Sequence, residues 1–151
     1  MSKRRASREL ALQVFYALDI NAGLHEIPYN EFCETVLVQL GHLSRSGKSS
    51  GEDLSYLILA GVRSNIEDID RHIDEASDNR TMERLSIIDR NILRMAVFEM
   101  LYVPDVPPRV AINEAIEIAK SYESDNYPKF MNGVLERIYR ILKVKSRGQT
   151  T

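Results

Sequence analysis

Four cations stand close together at the start of the chain. Lys3, Arg4, Arg5 and Arg8 open a segment whose apolar residues recur at helical spacing. The positive end of a helix dipole lies at its amino terminus, so cations there are unfavourable for the helix itself. A bound polyanion relieves that cost, and the free N–H groups of the first turn can meet phosphate oxygens. A basic terminus that is merely solvated is the competing reading, and this feature alone leaves both open. A second set, Lys120, Tyr122, Tyr127, Lys129 and Phe130, interleaves lysines with rings. That chemistry suits single-stranded nucleic acid, whose bases stack on rings while cations meet the backbone. Tyr122 and Phe130 also sit at core spacing, so packing competes for them.

Other constellations carry less. His25, His42 and His72 are scattered, without partners at metal or catalytic spacing. Glu114 and Glu117 share a helix face at i and i+3, as in bundle metal sites, but no Glu-x-x-His pair exists to complete one. A solvated face is the better reading. The serines and Cys33 lack an identifiable base and orienting group. The segment Gly41 to Ser49 (GHLSRSGKS) has five residues between its glycines where a phosphate-binding loop needs four. No strand leads into it, and it is rejected as a nucleotide site. The expectation is therefore no catalytic residue, no metal and no cofactor. Asn113 and Asn132 lie inside helical stretches, where asparagine is a poor helix former. They read as polar bridges between helices, with a base contact as the alternative.

The elements that must position these groups are all helical. Residues 7–20 place Leu10, Ala11, Val14, Phe15 and Leu18 on one stripe, closed by Asn21-Ala22-Gly23. Asn30 can cap a second helix that buries Phe32, Cys33, Val36, Leu37 and Leu40. The serine-rich stretch of about 41–52 reads as a mobile loop. One long helix is expected over about 53–76, with Leu54, Leu57, Ile58, Val62, Ile66, Ile69 and Ile73 inward, and a polar connection over 77–84. Ser86 can cap a helix over 87–102 that is apolar nearly all round and so belongs at the centre. Pro104 to Pro108 ends it and presets a helix over 109–122. Pro128 starts the last, with Phe130, Met131, Val134, Leu135, Ile138 and Ile141 inward, and residues 143–151 read as a flexible basic tail.

The chain of 151 residues, 44% hydrophobic and 28% charged, fits one ordinary globular domain. Its net charge of −2 gives no global pull toward nucleic acid, so any such site must be local. A single cysteine excludes an internal disulfide and fits a reducing compartment. No apolar run approaches the ~18 residues of a membrane span, and no secretory leader is evident. A cytoplasmic all-α bundle of about six to seven helices is expected.

Three stretches resemble the NusB family in order and separation. The first is Arg84 to Leu101 (RLSIIDRNILRMAVFEML), followed by Val106 to Ala115 (VPPRVAINEA) and Lys129 to Leu135 (KFMNGVL). Arg4 to Gln13 (RRASRELALQ) matches the family's arginine-rich opening. The resemblance implies two helical subdomains, each about a three-helix bundle, around the central buried helix. It implies a non-catalytic adaptor that pairs with NusE, a small-subunit ribosomal protein. The pair would bind boxA, a single-stranded element of nascent ribosomal RNA leaders, and join an antitermination complex on RNA polymerase. Lys3, Arg4, Arg5, Arg8, Lys129 and Phe130 would then face RNA, with Tyr122 and Asn126 as further candidates, and Tyr16 and Asp89 would face NusE. Some relatives self-associate, and the apolar stripes leave a homodimer open. A ribosomal RNA cytosine methyltransferase, whose family carries a NusB-like domain, would need a large α/β domain with catalytic cysteines. A helical scaffold that binds only protein is the remaining alternative.

Overall fold

The computed structural model describes residues 3–20, 31, 54–77, 85–122 and 127–148. The expected helix after Asn30, the loop of about 41–52, most of the connection over 77–84, Asn126 and the last three residues lie outside them. Six helices run through the described residues: α1 (Lys3–Ile20), α2 (Leu54–Ser64), α3 (Ile66–Ala76), α4 (Ile87–Tyr102), α5 (Pro108–Ser121) and α6 (Tyr127–Gly148). No strand occurs among them, and no helix is long and apolar enough to cross a membrane.

The chain divides into two compact units, Met1–Ser64 and Asn65–Thr151. In the first, α1 packs against α2. Ala11, Leu12, Val14, Phe15 and Leu18 form the buried stripe of α1, with Leu12 in the place expected for Leu10. On α2 the buried residues are Leu54, Ser55, Ile58, Leu59 and Val62, whereas Leu57, expected inward, is exposed. Only the turn registry within the folded unit separates Leu57 from its neighbours; every fourth residue counted from Leu54 turns inward.

The long helix expected over about 53–76 is interrupted at Asn65. Ser64 and Asn65 are side chains that compete for backbone bonds and weaken a helix interior. Asn65 leaves the helical basin at φ −122° and ψ 20°, while its carbonyl accepts from Ile69 N–H at 2.9 Å to start α3. Glu67 and Asp68 then place negative charge in the first turn of α3, where the dipole favours it. The break falls at the unit boundary, and four of the described helices belong to the second unit.

In that unit α4 packs against α3, α5 and α6, and α6 also packs against α3 and α5. Ile92, Leu93, Met95, Ala96, Val97 and Phe98 of α4 are all buried, as the unbroken apolar surface predicts. Ser86 caps α4: its hydroxyl oxygen accepts from Asp89 N–H at 3.1 Å and its O–H donates to the Asp89 carboxylate at 2.7 Å. Pro107 and Pro108 lead into α5 with the N–H groups of Val110 and Ala111 turned back to the Pro107 carbonyl, and Val106 tucks into the core.

Polar ties fix α3 against its neighbours. Arg94 donates two hydrogen bonds to Asp70, at 2.8 and 2.9 Å, in a part-buried fork. Tyr102 O–H donates to Asp68 at 2.6 Å, and Arg137 of α6 donates to the Ala76 carbonyl at the end of α3 at 3.1 Å. The basic stretch expected to be a flexible tail is helical as far as Gly148.

Replacing Ser86 removes both bonds of the α4 cap. Ser86→Ala is expected to lower the unfolding free energy by about 1 kcal/mol in urea titration, with the helical content retained.

Candidate nucleic-acid interface

The expected interface residues fall in both units. In the first unit the backbone of Lys3 begins α1, and Arg4 is exposed. Arg5 is half-buried and engaged within the protein. Arg8 departs from expectation. It lies on the stripe of Ala11, Leu12 and Phe15, is only 5% exposed, and is also engaged within the protein. A guanidinium in that position has a structural role, because reaching phosphate would break the interactions that compensate its burial. Among Arg4, Arg5 and Arg8, Arg4 is the one that faces solvent outright. Tyr16, expected to face a protein partner, is exposed on α1 two turns past Arg8.

In the second unit the groups gather around the end of α5 and the start of α6. Tyr122 terminates α5, its N–H pointing back to the Ala119 carbonyl at 3.2 Å and the residue 38% exposed. Lys120 is paired with Glu117 at 3.3 Å, a solvated i,i+3 pair of little energetic weight. Lys129 is exposed in the first turn of α6, and Phe130 beside it is half-buried and engaged within the protein. Asn126 lies outside the described residues.

Asn113 and Asn132, read as bridges between helices, are both exposed. Asn132 stands one turn from Lys129 on α6, where its amide is open to a base edge. The buried amide is instead Asn91, which donates to the Ile87 carbonyl at 2.9 Å on α4. An asparagine inside an apolar run was the available signal for it. Glu99 of α4 is buried too, and nothing in its helical position alone distinguishes it from a solvated glutamate.

Asp89 also departs from expectation as a partner-facing residue. It is 4% exposed and its carboxylate is taken up by the Ser86 hydroxyl, so it serves the start of α4. Burial pushes its carboxyl above the ordinary 3.8, and the Ser86 bond partly offsets the shift. No group of three or more histidine, cysteine or carboxylate side chains able to hold a metal occurs among the described residues. The first unit thus exposes Arg4 and Tyr16, and the second exposes Lys129, Tyr122 and the amides of Asn113 and Asn132.

The NusB family model matches residues 5–140. The chain belongs to the NusB family. A protein of Chloroherpeton thalassium, named transcription antitermination protein NusB, is 42% identical over 146 residues, covering 96% of this chain. The chain spans 64% of that relative's length. The structure of T. maritima NusB superposes with a TM-score of 0.70 at 34% identity and covers 92% of each chain. A complex of the antitermination factors NusB and NusE with double-stranded RNA contains the same fold. Its TM-score is 0.70 at 23% identity, over 91% of this chain and 96% of that one. Within the NusB match lie the α4 cap, the Arg94–Asp70 fork and Lys129, whereas Arg4 and the end of α6 fall outside it.

The raised carboxyl of Asp89 binds a proton more readily in the folded chain than in the unfolded one. Its contribution to stability is therefore greatest below the ordinary value of 3.8 and declines as pH rises through the folded value. Asp89→Asn removes that decline. Urea midpoints measured from about pH 3.5 to about pH 6 should shift progressively in the variant's favour relative to wild type. A constant offset across the range would place the Asp89 titration at its unfolded value.

Proposed function

We propose that this chain is a non-catalytic RNA-binding adaptor in transcription antitermination, acting in the cytoplasm. In this reading it pairs with NusE, and the pair holds the boxA element of a nascent ribosomal RNA leader. The loaded pair then joins the antitermination complex on RNA polymerase. The observation that carries the reading is the outward placement of Arg4 and Lys129, each in the first turn of its helix, in a chain of the NusB family. Relatives named as antitermination proteins support the process, and the neighbouring complex supports the kind of partner.

The division of labour follows from the side chains. Arg4 and Lys129 supply phosphate contacts, with Lys3 and Arg5 adding charge at the start of α1. Phe130 and Tyr122 offer ring surface to unstacked bases, and Asn132 offers an amide. Asn126, four residues after Tyr122 in the sequence, is kept as a further proposed RNA contact. Arg8 and Asp89 act from inside, by holding α1 and the start of α4. Tyr16 is the exposed ring proposed to meet NusE. Coupling between NusE and RNA binding to the chain would be reciprocal, each raising the other's affinity by the same factor.

Titration of boxA RNA and a scrambled RNA, with and without NusE and at two salt concentrations, tests the reading. Selective binding that NusE strengthens and salt weakens is expected. Arg4→Ala combined with Lys129→Ala should reduce the salt slope by about 1.4, at roughly 0.7 per lost phosphate contact, with the circular dichroism spectrum unchanged. Binding that ignores both sequence and salt would remove the adaptor reading and leave a helical scaffold that meets only protein.

A further inference from the structure

The cations of α6 do not end at Lys129. Residues 137–151 contain Arg137, Arg140, Lys143, Lys145 and Arg147 and no carboxylate, in a chain whose net charge is −2. At ~100° per residue, Lys129, Glu136, Arg140 and Lys143 fall within about 60° of one line along the helix. The buried residues Met131, Val134, Leu135 and Ile138 face the opposite way. Lys129, Arg140 and Lys143 are all exposed. Gly133 lies beside the same line with open space where a Cβ would stand, so a strand can approach the helix backbone there.

The one carboxylate on this line is already neutralised. Glu136 accepts from Arg109 of α5 at 2.7 Å. The same guanidinium lies 5.2 Å from the centre of the Tyr139 ring, and the Lys143 ammonium lies 5.0 Å from it. Tyr139 thus holds two cations near its ring, which reduces the freedom each would lose on meeting an anion. Arg137 is committed to the Ala76 carbonyl. Arg140 has no polar partner among the described residues.

Charge at the end of a helix can simply answer the dipole, but that effect falls off within the last turn. Arg140 and Lys143 both stand more than one turn before Gly148. Their alignment with Lys129 is therefore unexplained by the helix's own electrostatics. Lys143 also lies past residue 140, where the family match ends.

We infer that the outer face of α6 is a phosphate track that continues the RNA interface from Lys129 through Arg140 to Lys143. It binds the backbone of single-stranded RNA flanking the recognised element, without reading its bases. The inference rests on the RNA-adaptor reading and extends it along one helix. The rise of ~1.5 Å per residue carries the track about 21 Å from Lys129 to Lys143, enough for several nucleotides. An acidic protein surface is the rival occupant. The line from Lys129 to Arg140, with its one carboxylate paired and no exposed large apolar residue along it, favours the polyanion.

The test uses the full chain with NusE and two RNAs: the boxA element alone, and the element extended on either side by about ten uridines. Wild type is expected to bind an extended RNA on the order of tenfold more tightly near 0.1 M salt. Its salt slope should be steeper by about 1.4 than with the bare element, for two added phosphate contacts. Arg140→Ala with Lys143→Ala should lose both gains while its binding of the bare element stays at wild-type strength. Arg140→Glu with Lys143→Glu should bind the extended RNA more weakly still. An extension that adds nothing in wild type, or a gain that survives in the alanine variant, overturns the track. Variants that weaken capture of NusE but leave both RNAs unaffected overturn it in favour of a protein surface. Failure of every protein to bind the bare element would instead overturn the adaptor reading, and the track with it.

Discussion

Helix α4 is enclosed by α3, α5 and α6, and a helix with so little solvent face must find a partner inside the protein for each polar group it carries. The requirement is met at most of its polar side chains, with Arg90 the exception: its Nη2 donates to the Leu85 carbonyl at 3.4 Å, while its Nε is buried without a hydrogen-bond partner among the described residues. Asp89 and Ser86 satisfy one another at the cap, Asn91 bonds back to Ile87, and Arg94 grips Asp70 of α3. Removing a partner from such a buried arrangement leaves a desolvated donor or acceptor, which costs about 1–3 kcal/mol for each uncharged group. The apolar residues between them, Ile92, Leu93 and Val97 among them, supply non-directional attraction. The polar ties then select one register of α3 on α4 from the many that burial alone would accept.

That frame sorts the charges of the second unit. Carboxylates of α3 are used against neighbouring groups: Asp68 with Tyr102 and Arg71, and Asp70 with Arg94. The Tyr102 hydrogen bond is the largest influence holding the Asp68 carboxyl below its ordinary value, with Arg71 next. Burial raises the Asp74 carboxyl, with the charge of Asp70 adding to the shift. On α6 the pattern is reversed, because Lys129, Arg140 and Lys143 are left outward and the intervening Glu136 is paired. A nearly neutral protein thereby presents a strongly directional local field.

Much of this could be read from residue order. The inward residues Ala11, Val14, Phe15 and Leu18 of α1, the Ser86 cap and the proline start of α5 follow from local periodicity and capping chemistry, which operate within a few residues. The enclosed character of α4 follows from its having apolar residues on every side. The break at Asn65 was not legible, because the apolar spacing continues across it and the weak helix formers Ser64 and Asn65 do not by themselves end a helix. The continuation of α6 to Gly148 was likewise hidden behind a polar, basic composition that also suits a frayed end.

The sequence by itself determined an all-helical NusB-family chain and the groups from which an interface is proposed: a basic start and the Lys-Phe-Met-Asn-Gly stretch on the last helix. Only the tertiary structure decided which members of those groups reach solvent. Arg4 and Arg8 have the same chemistry and stand one turn apart, yet one is exposed and the other buried. Asn91 is buried while Asn113 and Asn132 are exposed, although all three lie inside helices. Exposure is a property of what packs over a position, and the packing groups come from helices far away in sequence. Local spacing sets the direction in which a side chain leaves its helix, and the surrounding helices decide whether water or protein is waiting there.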